Sequence, residues 1–327
     1  MQQTLLYNWQ AMALPNCSII IRAYNEEKHI SRLLEGILQQ SIKDVELILV
    51  DSGSRDATVA IASRYPVKIV HIPSQDFSFG RSLNFGIQHA QSDLLVFASA
   101  HVYPVYPDWL EKLLAPFSDP QVALTYGRQR GNKDTKFTER QIFTQWYPEI
   151  SQPRQHMPFC NNANAAVRRE LVIQRPYNES LPGLEDLEWA QWAINQGWFI
   201  HYAAEAEIIH VHEETPRGVY NRYRREAMAF KQIYSQEKFN LLDFLRLVII
   251  NITSDLRQAA RQGVLAPNLA SIFWFRWVQF WGTYQGYRHP GPLTSQLRQT
   301  FYYPRGLSQS DTSGNRTIKP IHYHSKD

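Results

Sequence analysis

Apolar residues recur along this chain in two periods, and the switches between them mark out its elements. After a polar leader, Cys17-Ser18-Ile19-Ile20-Ile21-Arg22 is an almost unbroken apolar run, which predicts a buried first strand. Ile30, Leu33, Leu34, Ile37 and Leu38 follow at helical spacing, a single stripe facing a sheet. Val45 to Val50 is a second strand, and it stops abruptly on Asp51 before the turn Ser52-Gly53-Ser54-Arg55. Asp56 is placed to cap a helix over residues 57–64 that Pro66 ends, and residues 67–72 form a third strand. The order β-α-β-α-β implies parallel strands joined by right-handed crossovers.

Phe77 to Gly86 lead into a short helix ending near His89, and residues 93–98 form a fourth strand that runs out into Ser99-Ala100-His101. A helix is expected over 109–114 and a fifth strand over 122–126, followed by a polar segment over 127–138. The Pro-rich stretch 148–158 reads as a surface loop or mobile flap. Residues 159–167 read as a strand returning toward the same end of the sheet, with Arg168-Arg169 opening a helix. Pro182-Gly183-Leu184-Glu185-Asp186 precedes another helix, with Leu187, Ala190 and Ile194 on one face, Trp189 and Trp192 flanking them, and Gly197 ending it. In the short strand 208–212 the two-residue period places His210 and His212 on one face.

From about Pro216 the pattern becomes helical. Tyr220, Tyr223, Ala227, Phe230 and Tyr234 form one stripe, and Arg222, Arg224 and Arg225 lie on the other face. A second helix spans roughly 241–262, and a third carries eight aromatic residues between Phe273 and Tyr287. The expected organisation is an α/β body over 1–215, an aromatic-rich helical extension over 216–290, and a polar, poorly ordered tail over 291–327. No internal repeat is visible.

Composition narrows the classes. A chain of 327 residues, 44% hydrophobic and 20% charged, supports one large or two modest globular domains. A net charge of +4 does not point to nucleic acid. Cys17 and Cys160 lack metal-type spacing and read as buried free thiols in a reducing cytosol. No basic start followed by an apolar core opens the sequence, so no signal peptide is expected. The stretch 241–252 is broken by Asp243, Arg246 and Asn251 and is too short to span a bilayer.

Several stretches carry candidate chemistry. A strand ending on Asp51 puts a carboxylate where open α/β sheets bind ligands, although Asp, Gly and Ser also make ordinary turns. With Asp51, Arg81 and Asn84 suit a nucleotide, and Gly80 and Gly86 would let the backbone approach it closely. GxGxxG and GxxxxGK[ST] are both missing, which argues against a dinucleotide cofactor and a P-loop. Glu185 and Asp186 at a helix start can do acid/base work, or simply cap that helix. His210 and His212 can converge on a metal ion with His101 from a neighbouring strand end; otherwise one is buried and the other solvated.

Ser18-Ile19-Ile20-Ile21-Arg22-Ala23-Tyr24-Asn25-Glu26, Leu49-Val50-Asp51-Ser52-Gly53-Ser54-Arg55-Asp56, Gly80-Arg81-Ser82-Leu83-Asn84-Phe85-Gly86, Asp93 to His101 and Leu184-Glu185-Asp186-Leu187-Glu188-Trp189 together resemble the family-2 inverting glycosyltransferases of GT-A fold. The resemblance covers roughly residues 16–212. It implies a mostly parallel sheet flanked by helices, with Ala23, Tyr24 and Glu26 lining a nucleotide pocket. By the same resemblance Asp51 holds the base, Arg81 and Asn84 close over the nucleotide, and Asp186 deprotonates the acceptor hydroxyl beside Glu185. Such families carry Asp-x-Asp after the fourth strand to hold Mn²⁺ or Mg²⁺ under the diphosphate. Here Ser99, Ala100 and His101 stand in that diphosphate-side position. Either His101 holds the ion with His210 and His212, less suitably for Mg²⁺, or the site is metal-independent.

The expected partners are a UDP-, GDP-, dTDP- or CMP-linked sugar and a glycan or lipid-linked acceptor. The aromatic helices suit a groove, a homodimer interface, a membrane surface, or packing on the catalytic body. The corresponding location is the cytoplasm, with peripheral attachment to the inner face of the plasma membrane. The rivals are a sugar-phosphate nucleotidyltransferase, disfavoured by the acidic loop Ala23-Tyr24-Asn25-Glu26-Glu27, and an inactive glycan-binding scaffold of the same fold.

Overall fold

A computed structural model describes residues 16–212, 215–236, 238–288 and 318–323. The elements are β1 (Cys17–Ala23), α1 (Ile30–Leu38), β2 (Val45–Asp51), α2 (Thr58–Ala62), β3 (Lys68–His71), α3 (Phe79–Gln88), β4 (Leu94–Ser99), β5 (Val102–Pro104) and α4 (Trp109–Leu114). There follow β6 (Val122–Arg130), α5 (Phe137–Trp146), β7 (Gln152–Gln155), β8 (Asn164–Arg168), α6 (Arg169–Gln174), α7 (Glu185–Asn195), β9 (Phe199–His210), α8 (Pro216–Ile233), α9 (Leu241–Arg261) and α10 (Leu265–Arg288).

The strands form one nine-stranded sheet in the order β3-β2-β1-β4-β8-β6-β9-β5, with β7 also on β9. β3, β2, β1 and β4 are mutually parallel, as are β6 and β9; β8 is antiparallel to β4 and β6, and β5 and β7 are antiparallel to β9. β1 is joined by successive crossovers to β2 on one side and flanked by β4 on the other. The strand order reverses there, which leaves a crevice beyond the carboxyl ends of β1 and β4. Arg22 O accepts Ala100 N–H at 3.2 Å, holding the two strand exits together.

The continuous apolar runs follow from burial on both faces, as parallel sheets require. Ile19 and Ile21 pack under α1 with Leu33 and Leu34, while Ile20, Val50 and Phe97 face Leu83 of α3. Leu38, expected in the α1 stripe, is exposed instead, because it lies at the helix end beyond the sheet. Gly86 is a packing glycine: a Cβ there would stand 2.5 Å from Ile20 Cγ2, so only Gly lets α3 lie this close to β1. A Cβ on Gly80 would stand 2.7 Å from Asn178 O. Both close approaches are therefore to the protein's own chain rather than to a ligand.

Four further expectations are corrected. The polar segment after residue 126 continues as strand through Arg130, because β9 pairs with it on one side. The Pro-rich stretch contains β7, whose Gln152 and Gln155 are in register with Tyr202 and Ile200 of β9. In α7 the fully buried aromatic is Trp189, which the periodicity placed at the flank; it packs with Ala190 and Ala193 against the sheet. Residues 318–323, expected to be poorly ordered, dock on the β5 side: Ile321 N–H donates to Val105 O at 2.9 Å, and the Tyr323 hydroxyl donates to Pro104 O. Residues 291–317 and 324–327 of that expected tail lie outside the described residues.

Helices α8, α9 and α10 pack together and onto α5, with Phe230, Phe239, Phe244 and Phe280 in their shared core. A buried polar knot ties this extension to the α/β body. Asp255 of α9 receives both Nε (2.8 Å) and Nη2 (2.9 Å) of Arg276 in α10 and the hydroxyl of Thr138 in α5 (2.9 Å).

Candidate active site

The crevice at the β1/β4 exits opens into a cavity of about 440 Å³, and Asp186, Arg22, His101, His210, His212 and Arg225 are on its wall. These residues lie far apart along the chain. Arg22, Asp186 and the three histidines arrive there because strands end or a helix begins at this edge of the sheet, whereas Arg225 comes from the middle of α8.

Asp186 sits in the first turn of α7, following Leu184 in the left-handed region (φ 57°), which turns the chain sharply into the helix. Its Oδ2 accepts Asn162 N–H at 3.1 Å and its Oδ1 accepts Leu187 N–H at 2.8 Å. Burial pushes its pKa up to about 7, and the negative charge of Glu185 beside it adds to the rise. Glu185 is fixed by Arg22, whose Nη1 lies 3.2 Å from Glu185 Oε1. The two carboxylates therefore have different environments, one ion-paired and the other buried on backbone amides. Arg22 also lies over the ring of Phe79 at 5.1 Å, and Arg225 lies over that ring at 4.7 Å. Arg225 Nε is buried with no hydrogen-bond partner among the described residues.

The three imidazoles gather on the other side of the cavity. His101 follows β4; β5 then pairs with β9, with Val102 opposite His210 and Val211 N–H donating to His101 O at 3.1 Å. The short strand expected over 208–212 is instead the end of the twelve-residue β9, which stops at His210, so His212 lies just beyond it, and the two rings are 4.0 Å apart. Ring nitrogens of His101, His210 and His212 all lie within 4.8 Å of one another. Each Nδ1 has an acceptor at 2.7 Å: Glu26 Oε1 for His101, Gln129 Oε1 for His210, and Glu139 Oε1 for His212. A carboxylate only accepts, so Nδ1 of His101 carries a hydrogen, whereas Nδ1 of His212 faces both Glu139 and, at 3.2 Å, Nη1 of Arg222. His210 Nε2 is buried and has no hydrogen-bond partner among the described residues. Burial holds both His210 and His212 well below the usual imidazole range, with neighbouring imidazoles and Arg222 adding to the effect. Three imidazoles gathered this closely fit a divalent cation.

Not every expected site residue reaches this cavity. Glu26 and Ser99 line it; Ala100 is fully buried and is not on its wall, its backbone N–H donating to Arg22 O. Asp51 lies one strand over, in register with Ala23. Its buried carboxylate accepts Gly53 and Ser54 N–H and meets His71 Nδ1 at 3.2 Å. Tyr24 is 52% exposed beside it. Asn84, expected over the nucleotide, spends its amide on the chain itself: Nδ2 donates to Tyr177 O and Glu179 Oε1, both at 2.9 Å, and Oδ1 accepts Tyr177 N–H. Arg81 is half-exposed, 3.7 Å from Glu179 and 3.9 Å from Asp76.

Arg222 and Arg225, which the pattern placed on the helix face opposite the aromatic stripe, line the cavity. Helical period shows that they share a face with each other, and only the docking of α8 shows what that face meets. Arg22, Gln129 and Glu139 were also not singled out, since nothing near them in the chain marks their role.

Comparison with known proteins gives the family and the fold. The sequence profile described as Glycosyl transferase family 2 matches residues 18–175. The O-antigen chain rhamnosyltransferase RfbN of Salmonella typhimurium is 30% identical over 219 residues, covering 63% of this chain and 69% of its own. The O-antigen chain rhamnosyltransferase WbaN of Salmonella anatum is 29% identical over 230 residues, covering 64% and 70%. Among solved structures, the mannosyltransferase PcManGT of Pyrobaculum calidifontis, in complex with GDP-Man and Mn²⁺, superposes with a TM-score of 0.56 at 19% identity, covering 84% of this chain and 85% of its own. TarS residues 1–349 of S. aureus, in complex with UDP-GlcNAc, gives 0.52 at 17% identity over 89% and 88%. At these identities the superpositions establish the fold, a GT-A-like α/β sheet with C-terminal helices. With that fold, the profile match and a 30% identical relative, the chain belongs to glycosyl transferase family 2.

Proposed function

We propose that this protein is an inverting sugar transferase acting on a nucleotide-diphosphate donor and a hydroxyl of a growing glycan or lipid-linked saccharide. Its rhamnosyltransferase relatives make a rhamnosyl donor the first candidate and surface polysaccharide assembly the setting. One observation carries the reading: Asp186 and the three imidazoles share a single cleft at the switch point of the sheet. Asp186 takes the proton of the acceptor hydroxyl. The freed oxygen bonds to the anomeric carbon from the face opposite the donor diphosphate. As that bond forms, the carbon–oxygen bond to the diphosphate breaks, and the electron pair leaves with the nucleoside diphosphate.

Asp186 suits this work because its raised pKa places it near working pH, where a general base is most effective. Arg22 positions Glu185, whose charge adds to the effect of burial on the basicity of Asp186. Arg225, braced on Phe79 with an unused donor, is available to the diphosphate. Asp51 with Ala23 and Tyr24 beside it holds the base, and Arg81 reaches over the nucleotide from α3; Asn84 holds the 177–179 segment against that helix. His101, His210 and His212 would hold a divalent cation, which when bound supplies positive charge to the leaving diphosphate.

A panel of UDP-, GDP-, dTDP- and CMP-sugars, scored by thermal shift with and without Mn²⁺, tests the assignment. At least one sugar nucleotide is expected to raise the melting temperature and to be consumed when an acceptor saccharide is added. A shift with nucleoside triphosphates alone would support the nucleotidyltransferase reading, and no shift with any donor would support the inactive scaffold.

The helical extension fits the peripheral location. Leu242, Leu245 and Ile249 of α9 and Leu269, Phe273 and Trp277 of α10 are exposed on two helices that pack side by side, with Phe244 and Trp277 rings 5.2 Å apart. Arg246, Arg257 and Arg261 are exposed on the same helix α9. Among the described residues no helix is long and apolar enough to cross a membrane. Apolar side chains flanked by arginines suit the surface of an anionic bilayer. The protein is expected to sediment with vesicles containing phosphatidylglycerol and not with pure phosphatidylcholine. A Leu242→Asn, Ile249→Asn, Trp277→Ser variant should stay in the supernatant. A parent that ignores both vesicles yet runs as a dimer the triple substitution dissolves would make this face a self-interface instead.

A further inference from the structure

We propose that His101, His210 and His212 form an all-nitrogen site selective for a first-row transition-metal dication over Mg²⁺, oriented by Glu26, Gln129 and Glu139. This deepens the transferase reading, on which the ion's role rests, but the binding it asserts is testable without donor or acceptor.

Three features of the cluster carry the inference. First, the cluster offers nitrogens alone: Glu26 and Glu139 bond rings at Nδ1, which leaves Nε2 as the candidate ligand of those rings. Mg²⁺ prefers an octahedron of oxygens and dehydrates reluctantly, whereas imidazole suits the later transition metals. Second, every ring already has an oxygen partner at Nδ1, the kind of supporting contact that orients metal-bound histidines. Three such contacts, all at 2.7 Å and supplied by three separate elements, aim the rings before any ion arrives. Phe143 of α5, with ring centroids 6.0 and 5.9 Å from His210 and His212, limits their other rotamers. Third, the ligand spacing is close to what one ion imposes. Nitrogens each about 2.1 Å from a shared ion stand at most about 4.2 Å apart. Those of the cluster lie within 4.8 Å, a gap small side-chain rotations close.

Charge is compatible with an incoming dication. Arg222 lies close by, 3.2 Å from His212 Nδ1, but its Nη2 is held by Glu139 at 2.8 Å, and Glu26 adds a second negative charge on the opposite side. Glu26 also joins the ion to the nucleotide side. It sits in the β1–α1 loop, its backbone N–H donates to Thr58 Oγ1 at 2.7 Å, and the adjacent Asn25 N–H donates to Ser54 Oγ at 2.9 Å. Orientation of His101 thus depends on the same loop that faces the nucleotide.

The test is calorimetry of the metal-stripped protein, without nucleotide, using Mg²⁺, Mn²⁺, Co²⁺ and Zn²⁺ in turn. Affinity is expected to rise from Mn²⁺ to Co²⁺, with Mg²⁺ at least about tenfold weaker than Mn²⁺. The Co²⁺ form should show visible absorption of a nitrogen-coordinated ion. His101→Ala, at a partly exposed position, should abolish that spectrum while circular dichroism stays native. Glu26→Ala should weaken Co²⁺ binding by about 10- to 100-fold, and Glu26→Gln, which keeps an acceptor oxygen, should restore most of it. Mg²⁺ binding as tight as Co²⁺, or a Co²⁺ spectrum unchanged in His101→Ala, would overturn the assignment. Either result leaves the sugar-nucleotide panel free to succeed, so the two readings fail separately.

Discussion

Replacing Asp186 by Asn is expected to lower transfer by about two to four powers of ten while donor binding stays near that of the parent. The amide preserves the size of the side chain but cannot take up the acceptor proton. Release of nucleoside diphosphate measures the rate, and calorimetry with the donor measures binding. Turnover at the parental rate would move the base to another group.

The pH dependence gives a second handle on the same residue. Only the deprotonated carboxylate is a base, so the rate should climb as pH rises through about 7 and level off above it. The first cause of that raised pKa is burial, and the second is the charge of Glu185. Glu185→Gln removes the like charge and leaves Arg22 without its partner. Both changes favour the ionised form of Asp186, so the acid limb should move to lower pH. An acid limb that stays in place would mean that Glu185 does not tune this site.

The largest stability effect is expected at Asp255. Its carboxylate and the Arg276 guanidinium are 1% and 2% exposed, joined by two hydrogen bonds of 2.8 and 2.9 Å. Arg276 Nη1 also donates to Gln279 Oε1 at 3.0 Å. Asp255→Ala leaves the guanidinium buried without a counter-charge, which costs about 3–5 kcal/mol. Arg276→Met in the same chain removes the stranded charge, so the double variant should recover a large part of that loss. Urea unfolding of the two single variants and the double variant measures this. A single variant within about 0.5 kcal/mol of the parent would show that water reaches the pair. Because Thr138 of α5 bonds the same carboxylate, the single variant should also loosen the helical extension from the sheet.

Much of the architecture was readable one segment at a time. The apolar runs 17–22, 45–50 and 94–98 could be nothing but buried strands, and the stripe Ile30, Leu33, Leu34 and Ile37 could only face a sheet. Asp51 at a strand exit and Asp186 at a helix start were legible for the same reason: an abrupt change of periodicity marks where an element ends. The strand period brought out the pair at 210 and 212, although β9 ends at His210 and the chain beyond it carries His212. Less was readable where pairing, not propensity, decides the state. The polar residues Arg128, Gln129 and Arg130 carry no strand signal of their own, and β6 runs on through them only because β9 lies beside it.

What the chain determined by itself was therefore local: which residues are strand or helix, where each stops, and which side chains share a face. The tertiary structure alone decided what those faces meet. It brought Arg22 to Glu185 across 163 positions, set Arg222 and Arg225 into the cleft wall, and placed Gln129 and Glu139 beside two imidazoles. It also turned Asn84 and the glycines 80 and 86 to internal packing. The physical reason is range. Backbone geometry repeats every two or 3.6 residues and writes its period into the sequence, whereas hydrogen bonds and desolvation act across a few ångströms between segments whose separation along the chain carries no period.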